Sequence, residues 1–265
     1  MLRRTLIVLS LLASAGTQAA DYKCSVTPKD DIFLTPASVQ VVGRSGDLNI
    51  TPKDDIFLTP ASVQVVGRSG DLNITPNGDV TLNGKKIEVT EQQRQQAVRY
   101  QAAIRNDIPW IKLETQNKLS ASKNTLDKVV IRVIGNDSNV RKRLTKLESD
   151  LNGQINQVIE TRPDGYAFHH QAMSKVETQG RQLVNESLGG ILQDSINEMG
   201  RKQLLSGGDS SKALQGLLGN LGGLQQDLEA EWKKQENSFQ QFGQQVCGKV
   251  TSLEQQRISL MNSLK

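Results

Sequence analysis

The sequence predicts an α+β fold in which an N-terminal β-meander packs against a bundle of long amphipathic helices. Short alternating apolar runs between turn residues extend to residue 89, and helical periodicity follows from residue 90. Aromatic residues make up only 4% of the chain, which suits narrow helical seams better than a large enzyme core. We therefore divide the chain into residues 1–20, 21–89 and 90–265.

The first segment, residues 1–20, has the pattern of a secretory signal peptide. Arg3 and Arg4 supply a positive start, an apolar run follows at residues 5–12, and small residues complete the segment. The apolar run is much shorter than the roughly 20 residues that cross a bilayer. The residues directly before Cys24 lack the small and aliphatic pattern of a lipoprotein acylation site. We expect a periplasmic protein that has no integral membrane span and is not a lipoprotein.

Two cysteines remain after the signal peptide, Cys24 near the mature N-terminus and Cys247 near the C-terminus. In an oxidising compartment such a pair usually forms a disulfide, and only one intramolecular pairing is open to this chain. In chain-entropy terms, closing a loop of about 200 residues stabilises a fold by about 5 kcal/mol. Because no Cys-x-x-Cys spacing is present, we predict a structural disulfide rather than a redox site.

Residues 27–50 and 51–74 form a tandem duplication that is identical over 24 residues. This identity without drift indicates a recent duplication, or an assembly error in the sequence record, and two units are too few for a solenoid. Both copies compete for the same strand partners because they present the same alternation. Only residues 51–74 adjoin the Asn-Gly turns that favour hairpins. We predict that this second copy occupies the sheet and that the first copy extends the sheet edge or loops out.

Apolar residues recur at helical spacing from Thr90 onward. Thr90 and Gln93 form a capping box that starts the first helix, which we expect to end at residues 106–109 because Pro109 lies there. Residues 140–158 carry apolar side chains at steps of three and four, typical of a strongly amphipathic helix. The further expected elements are helices at about 113–133, 171–205 and 212–265, with a short extended piece at 166–169.

The segment 214–228 is rich in Leu and Gly. Each glycine lowers helix propensity by about 1 kcal/mol relative to alanine, so several glycines in one helix need a reason. Close helix packing is one reason, and Gly189 with Gly190 in the preceding helix invites the same interpretation. The alternative is a partner-binding or membrane-surface segment, although Lys and Arg are absent there.

Several motifs resemble one bacterial protein family. The matching segments are 143–147, 159–162, 189–200, 231–236 and 239–243, together with Tyr22, Cys24 and Cys247. They are similar to the YggN-like family of uncharacterised periplasmic proteins, a domain of unknown function. The resemblance covers essentially the whole mature chain and implies an exported envelope protein of a Gram-negative bacterium. The family has no established activity to lend functional residues, and it carries the duplicated block once.

Patterns that resemble reactive sites are weak in this chain. His169 and His170 are the only histidines, and adjacent side chains point in different directions, so we expect no metal or cofactor. Residues 208–211 resemble a hydrolase nucleophile block, but no downstream histidine could serve as its base. The basic cluster 141–143 lies on an amphipathic helix, and a net charge of +4 gives no case for a nucleic-acid partner.

The sequence favours a non-enzymatic protein that binds an envelope protein through its long helices. The candidate interaction surface comprises Gly189, Gly190, Asp194, Glu198, Leu217, Leu221 and Leu224. One alternative is a periplasmic hydrolase that uses carboxylates such as Asp164, Asp194 and Glu198. The other alternative is a peripheral contact with lipid or the membrane surface through residues 214–228.

Overall fold

A computed structural model describes residues 55–66, 70–205, 238 and 241–264. Only the backbone is described for residues 30–35, 38–43 and 202–205, and for scattered positions within 173–199. The architecture is α+β, as predicted, with an antiparallel sheet followed by long helices. Leu217, Leu221 and Leu224 lie outside the described residues, as do the signal-peptide segment and Cys24.

Among the described residues, nine strands form two antiparallel sheets. Their bounds are β1 Asp30–Thr35, β2 Ser38–Gly43, β3 Asp55–Leu58, β4 Val63–Val66, β5 Leu72–Ile74, β6 Val80–Leu82, β7 Lys85–Ile87, β8 Ile159–Arg162 and β9 Gly165–Phe168. The larger sheet has seven strands in the order β7-β6-β5-β4-β3-β9-β8, and β1 pairs with β2 alone. Side chains in β3 and β4 alternate between buried and more exposed, so one face of this sheet covers the core.

The two copies of the repeat form the same hairpin in different places. In the first copy Ile32 pairs with Val41, and in the second copy Ile56 pairs with Val65, which is the same register shifted by one repeat. The second copy supplies β3, β4 and β5 of the seven-stranded sheet. The prediction that the second copy occupies the sheet is therefore confirmed, and the first copy forms a separate hairpin.

The Asn-Gly signal produces the turn between β6 and β7. Asn83 and Gly84 have φ values of 52° and 76°, a left-handed backbone that these two residue types tolerate best. The Asn83 side chain also accepts a hydrogen bond from the backbone N–H of Asp71 at 2.9 Å. This contact fixes the turn against the residue that precedes β5.

The part of the chain that the structure describes contains four helices. They are α1 Glu91–Val133, α2 Asn139–Val158, α3 Ala172–Leu205 and α4, residues 241–263. The hairpin of β8 and β9 separates α2 from α3, and β9 pairs with β3 of the second repeat copy. In the part of the chain that is described, no helix is long and apolar enough to cross a membrane.

Helix α1 continues through Pro109, and the predicted break at residues 106–109 is wrong. Proline in a helix interior removes one hydrogen bond and costs about 3 kcal/mol. Ile104, Ile108 and Ile111 on either side of it are buried in the main core, and burial of each such side chain contributes about 1.5–3 kcal/mol. Trp110, expected beyond the helix end, lies within the helix, and its ring centroid is 5.9 Å from that of Phe242 in α4.

Two hydrophobic clusters hold the described part of the chain together. The main core joins the sheet to α1, α2 and α4 through residues such as Val63, Ile74 and Tyr100. A second, smaller cluster contains Val129, Val130, Ile134, Val140 and Leu144. We call the region around this second cluster, residues 126–144 and 191–201, the distal tip.

Candidate functional site

The distal tip is built around the turn between α1 and α2. Helix α1 ends at Val133, and Gly135 follows it with a φ of 117° that suits glycine and an N–H that donates to Val130 O at 3.1 Å. Helix α2 starts after the N-cap Ser138, whose hydroxyl accepts from the Val140 N–H at 3.1 Å. Both helix ends therefore stop within a short turn that is fixed by backbone geometry.

Glu198 of α3 attaches to the first residue of α2. Its side chain is buried, and Oε1 accepts a hydrogen bond from the backbone N–H of Asn139 at 2.6 Å. A carboxylate at a helix N-terminus also interacts favourably with the helix dipole. Glu198 thus caps α2 from a neighbouring helix and is less available to an external partner than the sequence suggested.

Asp194 lies one turn before Glu198 and contacts Arg143 of α2. Its Oδ2 accepts from Arg143 Nε and from Nη2, each at 2.9 Å. The prediction that Asp194 and Glu198 share a helix face agrees with these contacts, since both carboxylates point toward α2. The pair therefore forms two adjacent links between α3 and α2.

Gly190 makes room for this ion pair. A Cβ atom built at Gly190 would lie 2.6 Å from Arg143 Nε, which is closer than van der Waals contact allows. Gly189 differs, because it is exposed and a Cβ atom built there meets nothing within 4 Å. Of the two glycines expected at a close crossing, Gly190 alone lies against a neighbouring helix among the described residues.

The basic cluster 141–143 is largely engaged within the tip. Arg141 donates to both carboxylate oxygens of Asp127, at 2.7 Å and 2.9 Å, and to the backbone and side-chain oxygens of Asn136, each at 2.6 Å. The hydrogen bond from Arg141 lowers the pKa of Asp127 below its ordinary value, although burial opposes this. Arg141 thereby ties the interhelical turn to the end of α1.

An open pocket of about 550 Å³ lies beside this turn. Residues 134–139, Glu198 and Arg201 line it. Asn136, Asp137 and Arg201 are exposed at the pocket, whereas Ile134 is buried beneath it. Within the described part of the chain Arg201 makes no ion pair.

A family model matches residues 47–265, and its description is protein of unknown function (DUF2884). The chain belongs to this family. The match includes the whole second repeat copy and only the last residues of the first copy.

Similar relatives of this DUF2884 member are described as "Uncharacterized protein YggN". They come from Escherichia coli strain K12, strain O6:H1 (CFT073) and strain O157:H7. Each is 43% identical over 265 residues, which covers 100% of this chain and 100% of the relative. No solved structure matches the chain. The resemblance to the YggN-like family is confirmed, and the printed descriptions assign no activity.

A buried lysine of this DUF2884 member was missed by sequence reasoning. Lys112 of α1 is 6% exposed, and its Nζ donates to Asn156 Oδ1 and to Thr161 Oγ1, each at 2.6 Å. Burial lowers the pKa of Lys112, and the nearby charge of Glu160 opposes this shift. No sequence signal pointed to this contact, because Lys112 follows the predicted helix break. Only a continuous α1 places Lys112 near β8.

The two histidines lie at the junction of β9 and α3. His170 contacts Asp55 of β3 through its backbone N–H at 2.9 Å and its Nδ1 at 2.6 Å. His169 Nε2 lies 3.2 Å from Glu160 Oε2 of β8. A search of the described residues finds no group of three or more His, Cys, Asp or Glu side chains that could hold a metal. Both histidines connect the start of α3 to the sheet.

Proposed function

We propose that this protein is a non-enzymatic component of the bacterial envelope that binds another protein through its distal tip. The observation that supports this most is the open pocket of about 550 Å³ at a turn held by hydrogen bonds from Arg141 and to Ser138 and Glu198. A preformed surface loses little conformational entropy on binding. The signal-peptide pattern of residues 1–20 and the relatives in a Gram-negative bacterium support the envelope location.

The position of the tip suits contact with a large partner. Ile104 belongs to the main core and Val130 to the second cluster. The 26 residues of helix between them correspond to about 39 Å at 1.5 Å per residue. The pocket therefore lies well away from the seven-stranded sheet, at the far end of α1.

The chemistry of the pocket suits a polar loop or helix end of that partner. Arg201 offers an exposed cation and Asp137 an exposed carboxylate. Asn136 adds an exposed neutral amide. Mixed polar groups around a small apolar patch are typical of non-obligate protein interfaces. We propose that Arg201 binds a carboxylate of the partner, because guanidinium and carboxylate groups pair with two parallel hydrogen bonds.

Site-specific photocrosslinking in periplasm tests this proposal. A photoreactive residue at Asn136 should give a crosslinked species with a second protein, and Arg201→Glu in the same chain should abolish it. The matched control places the same residue at Lys86, an exposed position on β7 at the edge of the sheet. Equal crosslinking at both positions, or none at Asn136, would contradict binding through the distal tip.

The hydrolase alternative has less support at the residues proposed for it. Asp194 is paired with Arg143, Glu198 caps α2, and Asp164 lies 3.5 Å from Arg162 Nε. These contacts account for the three carboxylates without a reaction. Turnover in a broad hydrolase screen that disappears in Asp194→Asn would reverse this preference.

The lipid-binding alternative rests on residues 214–228, which lie outside the described residues. It predicts cosedimentation of the protein with liposomes of bacterial phospholipid. Absence of cosedimentation would remove it.

We also propose that Cys24 and Cys247 form a disulfide in the oxidising envelope. Cys247 is 5% exposed in α4, close to the main-core residue Val246. A bond from α4 to the start of the mature chain would join the last helix to the segment that precedes the sheet. The pairing remains a prediction, and its test is given in the Discussion.

A further inference from the structure

The seven-stranded sheet has two candidate occupants for one position. Residues 27–50 are identical to 51–74, so every side chain that β3, β4 and β5 present to the sheet has a counterpart 24 positions earlier. The contacts made by the second copy are therefore equally available, in chemical terms, to the first copy. A sheet that contains the first copy would differ from one that contains the second copy only in how the chain connects to it.

The first copy already has the backbone pairing that the sheet requires. Phe33 pairs with Gln40 and Leu34 with Val39, and the second copy repeats both pairs as Phe57 with Gln64 and Leu58 with Val63. No register change is needed for β1 and β2 to replace β3 and β4. Pairing with β9 would then join Ile32 to Phe168 in place of Ile56.

We propose that the first copy is a spare hairpin that exchanges with β3, β4 and β5 in the sheet. In the exchanged arrangement residues 30–43 and 48–50 take the places of 54–67 and 72–74. Residues 51–74 then form a loop of 24 residues between Ile50 and Thr75. The side chain of Asp31 takes the place of Asp55 beside His170.

Loop closure sets the balance between the two arrangements. The length dependence of loop closure disfavours the exchanged arrangement by roughly a hundredfold, since the cost rises as three halves of the logarithm of loop length. The side-chain contacts within the sheet cancel because the sequences are the same, and the contacts that β2 makes with α3 add to the preference for the observed arrangement. The observed arrangement, with the second copy in the sheet, is accordingly the major one.

This exchange limits the loss of folding stability that substitutions in the second copy can cause. Val63 and Ile74 are fully buried in the main core, so aspartate at both positions should exclude the second copy from the sheet. The first copy then replaces it, and the rise in the unfolding constant should be set by the cost of exchange, roughly a hundredfold from loop length, and not by the severity of the substitutions. In a chain without a spare hairpin, the loss of folding stability would grow with the severity of the substitutions.

Three variants of the full chain test the proposal by urea denaturation followed by circular dichroism. Val63→Asp with Ile74→Asp should keep a cooperative transition with the limited loss given above. The matched control, Val39→Asp with Ile50→Asp in the first copy, should leave the transition near that of the unmodified protein. All four substitutions together should abolish the native sheet, because neither copy then fits the core.

The comparison between variants decides the outcome. If the second-copy variant unfolds as completely as the variant with four aspartates, the spare hairpin does not exchange and the proposal fails. If all three variants retain the unmodified transition, the sheet does not depend on either copy and the proposal also fails. A limited loss in the second-copy variant alone, with collapse only when both copies are substituted, supports exchange.

Discussion

Replacing Glu198 by alanine should loosen the attachment of α3 to the start of α2. The Glu198 side chain is only 9% exposed, and its Oε1 lies 2.6 Å from the Asn139 backbone nitrogen. Alanine removes the acceptor and its negative charge together. The Asn139 N–H then loses its described partner at the first residue of a helix, where no intrahelical acceptor exists.

The expected loss follows from two contributions. A hydrogen bond to a charged group contributes about 1.5–3 kcal/mol, and a carboxylate at a helix N-terminus adds about 0.3–1 kcal/mol. Asn139 is exposed, so water replaces part of the lost interaction. We expect Glu198→Ala to lower the free energy of unfolding by about 2 kcal/mol, or Tm by about 4–8 °C in a chain of this size.

Urea denaturation of the whole chain provides the assay. Glu198→Gln retains an acceptor without the charge and should lose about half as much as the alanine variant. Glu186→Ala is the matched control, because Glu186 is exposed on the same helix and bonds only to Gln182 among the described residues. Its effect should stay within about 0.5 kcal/mol. Equal effects of Glu198→Ala and Glu186→Ala would refute a capping role for Glu198.

Substitutions at three further places test other contacts. Gly190→Ala should lower the urea midpoint because the added methyl group displaces the guanidinium above it, whereas Gly189→Ala should be neutral or stabilising by up to about 1 kcal/mol. The pKa of Asp127 is lowered in the fold, so its stabilisation is present above the ordinary value of 3.8 and is lost as pH falls through the folded value. The urea midpoints of Asp127→Asn and the unmodified protein should therefore differ at pH 7 and converge in acid. Cys24→Ser, unfolded without reductant, should leave Cys247 reactive to a thiol reagent. The unmodified protein should show no free thiol under the same conditions. Free thiol in both proteins would exclude the disulfide.

Local sequence signals predicted the sheet as far as local contacts determine it. The Asn-Gly turn at residues 83–84 and the placement of the second repeat copy both follow from neighbouring residues. The pairing of β9 with β3 has no such signal, because Ile56 and Phe168 are far apart in the chain. Which distant strand completes a sheet depends on how the helices between them pack, and alternation alone does not specify it.

In helix α1, tertiary packing outweighs the local tendency of proline to break a helix. Pro109 predicts a break, and the rule is physically sound for an isolated helix. In this chain the apolar side chains at Ile104, Ile108 and Ile111 are buried before and after the proline. A break would withdraw part of that series from the core, so the continuous helix is favoured despite the missing hydrogen bond. The same continuity positions Lys112, which the sequence interpretation did not single out.

The sequence located two residues of the tip without their partners. Asp194 and Glu198 were placed on one face because a spacing of four residues permits nothing else in a helix. Their partners Arg143 and Asn139 lie 51 and 59 residues earlier, and only the packing of α3 on α2 brings them together. Arg201 was missed because a lone arginine near a helix end resembles any solvated side chain.

The contacts of the tip move the expected binding surface away from the face first proposed for it. Asp194 and Glu198 already stabilise the junction of α2 and α3, so a partner that recruited them would have to break those contacts first. Arg201 carries no such cost among the described residues, whereas the oxygens of Asn136 already accept hydrogen bonds from Arg141. Loss of Glu198 should therefore weaken partner binding only as far as it disturbs the turn, whereas Arg201→Glu should abolish crosslinking at Asn136 without lowering stability. A protein whose binding surface lay on the α3 face itself would show the opposite order.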